Sequence, residues 1–348
     1  MYTYETLKNH LNAQPYHWLI TGVAGFIGSN LLQTLLTLNQ KVTGIDNLST
    51  GLQYNLDAVK NIVSSTQWEN FTFIKNDVRD LNICHQITKN VDIVLHQAAI
   101  GSVTCSIENP IATHENNITA FLNILIAAKN NRINRIIYAS SSSVYGDEKQ
   151  LPKVEEKIGM PLSPYAVTKL SNELYAHTFS KNYNMKIIGL RYFNVFGPKQ
   201  NPNGNYTAVI PLWINKMIQQ QPIEIFGDGK TSRDFCFIDH VVQANLLAAM
   251  TQQQNALNTV YNIAQHQQTT LNELAALIQN QIKLYLPKIK ICHPIYKDFR
   301  SGDVQYSWAS IEKAKKLLNY NPTYSIQDGL IITIEWFLRE FKDMLIYG

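Results

Sequence analysis

A tyrosine and a lysine on one predicted helix are the first side chains in this sequence that could perform chemistry together. Tyr165 and Lys169 lie in the segment SPYAVTK, and their spacing places both on one helical face. A phenol has a pKa of about 10, and a neighbouring ammonium group favours its ionised form. The pair therefore predicts a general base that removes a proton from an alcohol near neutral pH. Two solvent-facing side chains on a helix would have the same spacing.

A run of serines precedes this pair. Ser141, Ser142 and Ser143 lie in YASSSSVYG, where an apolar segment that predicts a strand comes to its end. The carboxyl ends of parallel strands face the ligand crevice, so a serine hydroxyl there can hydrogen-bond an oxygen that alternates between alcohol and ketone. A polar loop would also contain serines, but the order of strand, serines and YxxxK favours the catalytic interpretation. The sequence leaves open which serine is the principal hydrogen-bond donor.

Three glycines after the first predicted strand indicate a phosphate-binding turn. Gly22, Gly25 and Gly28 stand in TGVAGFIG, with Phe26 and Ile27 between the last two. Glycine permits the tight turn and lets the backbone approach a diphosphate closely. The helix that follows directs its first amide groups at the phosphates. We therefore predict a dinucleotide site at these residues, although an ordinary glycine turn has the same composition.

The residues at the ends of the following strands select the dinucleotide. Asp46 ends the second predicted strand, 18 residues after Gly28. A carboxylate there accepts hydrogen bonds from the ribose hydroxyls and repels a 2′-phosphate, which favours NAD over NADP. The other predicted cofactor contacts are Tyr165 and Lys169 together with Asn47, Ser49, Thr50, Gly51, Asp77, Val78, Gln97, Ala98, Ala99, Tyr192 and Val195.

Strands and helices must alternate if these motifs are to meet at one edge of a sheet. Predicted strands lie at 17–21, 41–46, 71–77, 91–98, 135–141 and 186–192, and predicted helices between them include 26–38, 110–129 and 163–183. This alternation of strands and helices predicts an α/β fold with a Rossmann-type doubly wound parallel sheet. A loop rich in Gly, Pro and Asn begins at 197. We therefore expect an NAD-binding domain over 1–196, with returns around 236–264, and a smaller C-terminal α/β substrate domain over 197–348.

The composition excludes several classes of protein. The 348 residues are 45 % hydrophobic and 16 % charged, which is typical of a globular chain. The net charge of +4 is too small and scattered to predict nucleic-acid binding. The four cysteines form no CxxC pair, so we predict no metal site and a reducing, cytoplasmic environment. The polar start and the short apolar runs predict neither a signal peptide nor a membrane span.

Together these motifs resemble the extended short-chain dehydrogenase/reductase family over nearly the whole chain. Apart from Asp46, the resemblance is carried by TGVAGFIGS, HQAA, SSSSVYG, YAVTK, RYFNVFGP and GDGKTSRDFCFIDHV. Within that family the chain is similar to the bacterial UDP-N-acetylglucosamine 4-epimerases, relatives of UDP-galactose 4-epimerase. The segments LSPYAVTK, RYFNVFGPKQNPNG and IYKDFRSGDV carry this closer similarity.

The resemblance implies reversible inversion of carbon 4 of a UDP-N-acetylhexosamine through a transient 4-keto sugar, with bound NAD. It implies Tyr165 as the base, Lys169 as its electrostatic partner and Ser141 as the third member of a catalytic triad. The implied substrate contacts are Gly101, Ser102, Ser141, Ser142, Ser143, Tyr165, Asn194, Arg233, Arg300 and Asp303. The two arginines would clamp the diphosphate, and Asp303 would accept from the uridine ribose. A homodimer, formed through the helices predicted at 110–130 and 163–183, is also implied.

Several alternatives remain open on the sequence. A 4-epimerase could act on UDP-N-acetylhexosaminuronic acids or on UDP-glucose, and a relative could instead be a net NAD-dependent UDP-sugar oxidoreductase. A catalytically silent NAD-binding scaffold is the non-enzymatic alternative. The family's 4,6-dehydratases carry an Asp-Glu pair where this chain has serines, so elimination of water is not expected. The chain departs from its relatives at Val144, often threonine, and near Cys105, where an arginine is more usual; both departures bear on sugar preference.

Overall fold

The computed structural model describes residues 2–203, 207–299 and 306–340. Two residues predicted to contact substrate, Arg300 and Asp303, lie outside these ranges. Within the ranges, none of the helices combines the length and the apolar character that a membrane span requires.

A seven-stranded sheet forms the centre of the protein. In chain order, the strands of the described residues are β1 (His17–Thr21), β2 (Lys41–Asp46), β3 (Phe71–Lys75), β4 (Ile93–His96), β5 (Arg135–Ser141), β6 (Lys186–Tyr192), β7 (Val195–Phe196), β8 (Glu224–Phe226), β9 (Ser232–Arg233), β10 (Cys236–Phe237), β11 (Val260–Ile263), β12 (Thr269–Thr270), β13 (Ile295–Lys297) and β14 (Tyr306–Ser307). The central sheet has the order β11-β6-β5-β4-β1-β2-β3, and all of its pairings are parallel. The predicted doubly wound parallel sheet is confirmed.

Helices cover both faces of this sheet. In chain order they are α1 (Tyr4–Ala13), α2 (Phe26–Thr37), α3 (Gln53–Ile62), α4 (Ser65–Trp68), α5 (Leu81–Ile87), α6 (Val103–Glu108), α7 (Pro110–His114), α8 (Ala120–Asn130), α9 (Pro164–Tyr183), α10 (Val209–Ile218), α11 (Ile238–Met250), α12 (Leu271–Tyr285), α13 (Glu312–Leu318) and α14 (Ile326–Glu340). One apolar core contains Leu31 of α2 and Val241 of α11. The other contains Phe121 of α8 and Phe179 of α9.

The strand order creates the crevice in which the predicted site lies. Strand β1 pairs with β2 on one side and with β4 on the other, so successive crossovers run in opposite directions from this point. Every residue of β4 and β5 is buried, as expected of parallel strands covered on both faces. The carboxyl ends of β1, β4 and β5 therefore meet at a topological switch point, where open α/β sheets bind ligands.

The helix predicted over 110–129 is interrupted by a different hydrogen-bonding pattern. A π-helical turn at Glu115–Thr119 joins α7 to α8. It carries Asn117, whose Oδ1 accepts from the Ile100 amide at 2.8 Å and whose Nδ2 donates to Thr168 Oγ1 at 3.0 Å. The turn thereby fixes the segment after β4 against α9. Apolar periodicity carries no signal for such a turn, which explains why the sequence predicted one uniform helix.

Shorter elements follow β6. Strand β9 pairs antiparallel with β12 and parallel with β14, while β8 pairs with β13 and β7 with β10. Strand β11 returns to the central sheet beside β6, and α11 packs against β5 and β6.

Candidate active site

The predicted catalytic side chains converge where β5 ends and α9 begins. Ser163 caps α9 by accepting from the Ala166 amide, and a proline follows at the first helical position, so Tyr165 lies in the first turn. The Lys169 Nζ lies 5.8 Å from the centre of the Tyr165 ring and donates to the Ala139 carbonyl at 2.9 Å. The Ser141 hydroxyl lies close enough to the Tyr165 phenol to lower its pKa, and it donates to Ser143 Oγ at 3.2 Å. The strand end and the helix therefore present a phenol, a hydroxyl and an amine side by side.

Burial controls the protonation of this group. Burial raises the pKa of Tyr165, and the Ser141 hydroxyl opposes that rise. Burial also lowers the pKa of Lys169 to about 8. Nearby, burial first and the charge of Lys169 second lower the pKa of His96 to about 3, so this imidazole is neutral. An additional positive charge in the crevice would favour the Tyr165 phenolate.

A cofactor cleft with two connected parts, of about 90 and 480 Å³, runs from this group along the ends of the strands. The smaller part is lined by Gly22, Gly25, Asp46, Asn47, Ser49, Thr50, Gly51, Asp77, Val78, Gln97, Ala98 and Ala99. The larger part adds Phe26, Ile27, Gly28, Tyr165, Lys169, Tyr192 and Val195. Each residue predicted to contact the cofactor therefore lines one of the two parts.

The glycine turn leaves no space for side chains. Gly22 has a φ of 71°, and a Cβ on it would lie 2.8 Å from the Ala98 amide nitrogen. A Cβ on Gly28 would lie 2.1 Å from the Gly22 carbonyl oxygen. Gly25 precedes the first residue of α2 and has no side chain to cap it, so the first amides of the helix face the cleft, where a diphosphate would bind.

Two acidic residues at the strand ends are held in place by hydrogen bonds. Asp46 is buried, and its carboxylate accepts from the amides of Ala24 at 3.0 Å and Leu48 at 2.8 Å. A Cβ on Gly51 would lie 2.7 Å from that carboxylate, so the loop must pass closely over it. Asp77 accepts from Asn47 Nδ2 at 2.8 Å. The residues present fit a dinucleotide with free ribose hydroxyls.

Three amide and phenol side chains close a ring of hydrogen bonds in the cleft. Tyr192 donates to Gln97 Oε1 at 3.1 Å, Gln97 donates to Asn245 Oδ1 at 3.1 Å, and Asn245 donates to the Tyr192 oxygen at 2.9 Å. Gln97 and Tyr192 were predicted to contact the cofactor, but Asn245 was not. It lies on α11, far along the chain from its two partners, so no local spacing marks it.

A side cavity of about 360 Å³ adjoins the cleft. Asn194 and Val195 line both spaces. The side cavity is formed mainly by α10 with β8 and β9, and its lining includes Trp213, Lys216 and Arg233. Its lining is largely apolar and contains Glu224 beside the two cationic side chains. Apolar side chains and cations suit an aromatic base attached to an anionic group.

A buried carboxylate anchors the strand that carries Arg233. Asp234 is fully buried and accepts from the amides of Gln265 at 2.8 Å and Ala309 at 3.3 Å. Burial raises the pKa of Asp234 to about 7. Asp234 also accepts from Asn194 Nδ2 through its backbone carbonyl, at 2.9 Å. The sequence prediction did not include Asp234, which lies directly beside Arg233.

The remaining predicted substrate residues divide between the cleft and other roles. Gly101, Ser141, Ser142, Ser143 and Asn194 line the larger part of the cleft. Ser102 caps α6 by accepting from the Cys105 amide at 3.1 Å and is absent from the lining of the described cavities.

Comparisons with known proteins identify a family and several similar enzymes. The profile of the NAD dependent epimerase/dehydratase family matches residues 18–264. A putative UDP-glucose 4-epimerase of Methanocaldococcus jannaschii is 34% identical over 91% of this chain and 97% of its own length. The solved UDP-N-acetylglucosamine 4-epimerase of Methanobrevibacter ruminantium, in complex with UDP-N-acetylmuramic acid, is similar with a TM-score of 0.85 and 36% identity, over 94% of this chain and 99% of the other. A UDP-glucuronic acid 4-epimerase of Bacillus cereus, solved with UDP-glucuronic acid and NAD, has a TM-score of 0.83 and 32% identity, over 93% and 99% of the two chains.

Proposed function

Because this chain belongs to the NAD dependent epimerase/dehydratase family, we propose that it inverts carbon 4 of a UDP-linked sugar, with a UDP-N-acetylhexosamine as its substrate. One observation carries the proposal. The base group of Tyr165, Lys169 and Ser141 lies in a cleft that joins the side cavity at Asn194 and Val195. A nucleotide held in the side cavity could therefore present its sugar to Tyr165. NAD is the cofactor that the family description names, which confirms the cofactor prediction.

The residues of the chain divide the work of such a reaction. The glycine turn, Asp46 and the ends of β4 and β6 would hold NAD, whose chemistry is reversible hydride transfer. Tyr165 takes the proton of the 4-hydroxyl and returns it after the sugar has turned over. Lys169 favours the phenolate, and Ser141 hydrogen-bonds the oxygen at carbon 4. Arg233 holds the diphosphate while the sugar turns.

The space beside the base group supports an N-acetylated sugar. A Cβ on Gly101 would have no neighbouring atom within 4 Å, so this part of the cleft is open. Ser141, Ser142 and Ser143, which line the same part of the cleft, have small side chains. An N-acetyl group needs such room, because it is larger than the hydroxyl that it replaces.

The lysines that line the cleft already have roles or partners, so none of those described is reserved for the carboxylate of a uronic acid. Among the described residues that line the larger part, the cationic side chains are Lys169 and Lys199. Lys169 is beside Tyr165, and Lys199 donates to Asn30 Oδ1 at 2.9 Å and Gln33 Oε1 at 2.6 Å. A uronate carboxylate that bound Lys169 or Lys199 would therefore compete with the groups that each lysine already contacts. The glucuronate 4-epimerase among the similar structures keeps the uronic acid as the second candidate.

Proton NMR of the purified protein with UDP-N-acetylglucosamine, UDP-glucose and UDP-glucuronic acid tests the proposal. The anomeric signals should approach an equilibrium mixture fastest with UDP-N-acetylglucosamine. Faster conversion of UDP-glucuronic acid would instead assign the enzyme to uronic acids. Net accumulation of NADH would identify an oxidoreductase. If no sugar reacts even with NAD added, the protein would instead be the catalytically silent NAD-binding scaffold.

The division of the chain and its location are parts of the same proposal. We propose that residues 1–196 with 236–264 hold the cofactor and that the rest of 197–348 holds the UDP-sugar. The four cysteines, all of which have free thiols, support a reducing cytoplasmic environment.

We also propose a homodimer, because apolar side chains protrude from adjoining helices. Ile107 of α6, Ile111 of α7 and Leu174 of α9 are 62%, 72% and 63% exposed, and α9 packs against both other helices. Phe121 and Leu125 of α8 are fully buried in the core, so they belong to the fold and not to this face. Sedimentation velocity should give a dimer for the wild type and a monomer for Leu174→Glu.

A matched control for the dimer is Leu284→Glu. Leu284, on α12, is also well exposed, at 74%, and its replacement should leave the dimer intact. A monomeric wild type, or equal dissociation by both variants, would contradict the proposed interface.

A further inference from the structure

An ion pair is buried directly behind the base group. Arg191, near the end of β6, donates from Nη2 to Glu173 Oε2 at 2.8 Å and from Nε to Glu173 Oε1 at 2.9 Å. The two side chains are only 3% and 9% exposed. The pair is bidentate, which fixes both the distance and the orientation of the two groups.

The carboxylate of this pair also joins the two elements that carry the base group. Glu173 is on α9, one turn beyond Lys169 and two turns beyond Tyr165, so the three side chains share a helical face. Ser140 donates from Oγ to Glu173 Oε1 at 2.5 Å. Ser140 is the residue before Ser141 on β5. One side chain thus connects the helix of Tyr165 to the strand end of Ser141.

The guanidinium extends the connection to the segment between β5 and α9 and, through Tyr145, to β11. Arg191 donates from Nη1 to the Tyr145 oxygen and to the Glu155 carbonyl, both at 3.0 Å. Tyr145 donates to Asn262 Oδ1 at 2.6 Å, and Asn262 is on β11. The pair therefore has three hydrogen-bond partners, Ser140, Tyr145 and the Glu155 carbonyl, and Tyr145 extends the network to β11.

Stability alone is a poor explanation for this arrangement. Removing two charges from water is costly, and replacing a buried ion pair with apolar side chains of similar volume is often neutral or stabilising. Specific geometry is what the pair adds, because its hydrogen bonds are directional.

We propose that Glu173 and Arg191 are positioning residues that set the register between α9 and β5, so that Ser141 reaches Tyr165. This inference rests on the proposed epimerase function. The pair touches neither cofactor nor substrate in this account; it acts through the residues that do.

Two variants of opposite character test the proposal. The double variant Glu173→Met with Arg191→Met removes both charges and keeps the volume, so it should melt within a few degrees of the wild type. It leaves Ser140 without its acceptor, and kcat for UDP-N-acetylglucosamine should fall by at least about 30-fold, since small misplacements of reacting groups are costly. KM should stay within about threefold, because the side cavity is untouched.

The single variant Glu173→Gln should instead keep its activity and lose stability. Its amide oxygen still accepts from Ser140, so kcat should stay within about threefold of the wild type. The charge of Arg191 is then unbalanced, so the melting temperature should fall more than in the double variant. A merely structural pair would make activity follow stability, and the two variants would rank the same way in both measurements.

The matched control is Arg135→Met, at the opposite end of β5. Arg135 is a buried arginine that donates to the Thr251 carbonyl at 2.9 Å and has no role in the base group. Its replacement should lower stability without changing kcat beyond about threefold. Wild-type kcat in the double variant would overturn the proposal.

A crystal structure of the double variant separates this proposal from the epimerase proposal. The distance between the Ser141 and Tyr165 hydroxyl oxygens should lengthen, whatever reaction the protein catalyses. An unchanged distance overturns the positioning role. A wild type that epimerises no UDP-sugar overturns the function alone, and the distance then still decides the role of the pair.

Discussion

The cofactor cleft takes its residues from the ends of neighbouring strands, whereas the side cavity takes its residues from α10, the short strands β8 and β9 and the loops beside them. In the cleft, Gly22, Asp46 and Gln97 each end or follow a strand of one sheet. In the side cavity, Trp213 and Arg233 come from separate elements outside that sheet.

The difference shows how each region recognises its ligand. The phosphate-binding part of the cleft uses backbone amides and close passages of the chain, so the glycine spacing is enough to predict that part. The side cavity uses side chains that meet only after distant segments pack. Changes in the first region should therefore alter catalysis and cofactor retention, and changes in the second should alter substrate affinity. The predictions below test that separation, from the largest expected effect to the smallest.

Tyr165→Phe should have the largest effect, a fall in kcat of at least about 1000-fold, because the group that accepts the proton is removed. KM and the amount of bound NAD should change little. Steady-state kinetics and absorbance of the released cofactor measure these quantities. Tyr183→Phe, at the exposed end of the same helix, should have wild-type activity. Substantial turnover by Tyr165→Phe would remove this residue from the mechanism.

Gly28→Ala should release the cofactor. Its Cβ would meet the Gly22 carbonyl oxygen at 2.1 Å, so the turn must open. We expect the purified variant to carry less than about a tenth of the wild-type NAD, because a turn that has opened no longer holds the diphosphate against the backbone. Gly101→Ala, where a Cβ has open space, should retain NAD. Equal NAD content in both variants would show that the turn does not require glycine.

Arg233→Met should raise KM for the UDP-sugar by about 10- to 100-fold, the usual worth of a charge-assisted hydrogen bond, and should change kcat by less than about threefold. Lys230→Met is the control, since Lys230 is nearby in sequence and its side chain is 79% exposed. Loss of kcat without a change in KM would break the proposed separation of the two regions.

Lys169→Met should have the smallest of these effects, which is an increase in the free energy of unfolding. Burial lowers the pKa of Lys169 to about 8, whereas the unfolded chain has a pKa of about 10.4 at this residue. Between these values the unfolded chain holds the proton and the folded chain does not, so the stability contributed by Lys169 rises with pH. Below that window the folded protein must bury the charge.

Removing the amine should therefore raise the free energy of unfolding of the cofactor-free protein by about 1–2 kcal/mol at neutral pH, after allowance for the lost bond to Ala139. Denaturant unfolding should show this gain shrinking as the pH rises through the window, while activity is lost. A variant that is less stable than the wild type at neutral pH would mean that the buried charge is balanced by a partner.

Much of the fold and of the cleft could be predicted because their signals are local. The alternation of apolar strands and helices indicated the parallel sheet, and the glycine spacing, Asp46 and YxxxK indicated residues that do line one cleft. Asn245, Asn117 and Asp234 were missed because each acts through partners far away in sequence. Ser102 was assigned to the substrate, but a serine before a helix is equally suited to capping it.

The sequence by itself determined the order of the elements and the chemistry at the strand ends, because in a parallel sheet every strand delivers its last residues to the same edge. Only the tertiary structure decided how those residues are held. The pair of Glu173 and Arg191, the ring of Gln97, Tyr192 and Asn245, and the side cavity all depend on contacts between segments far apart in the chain. Such contacts follow from packing, which fixes distances that no spacing along the chain can express.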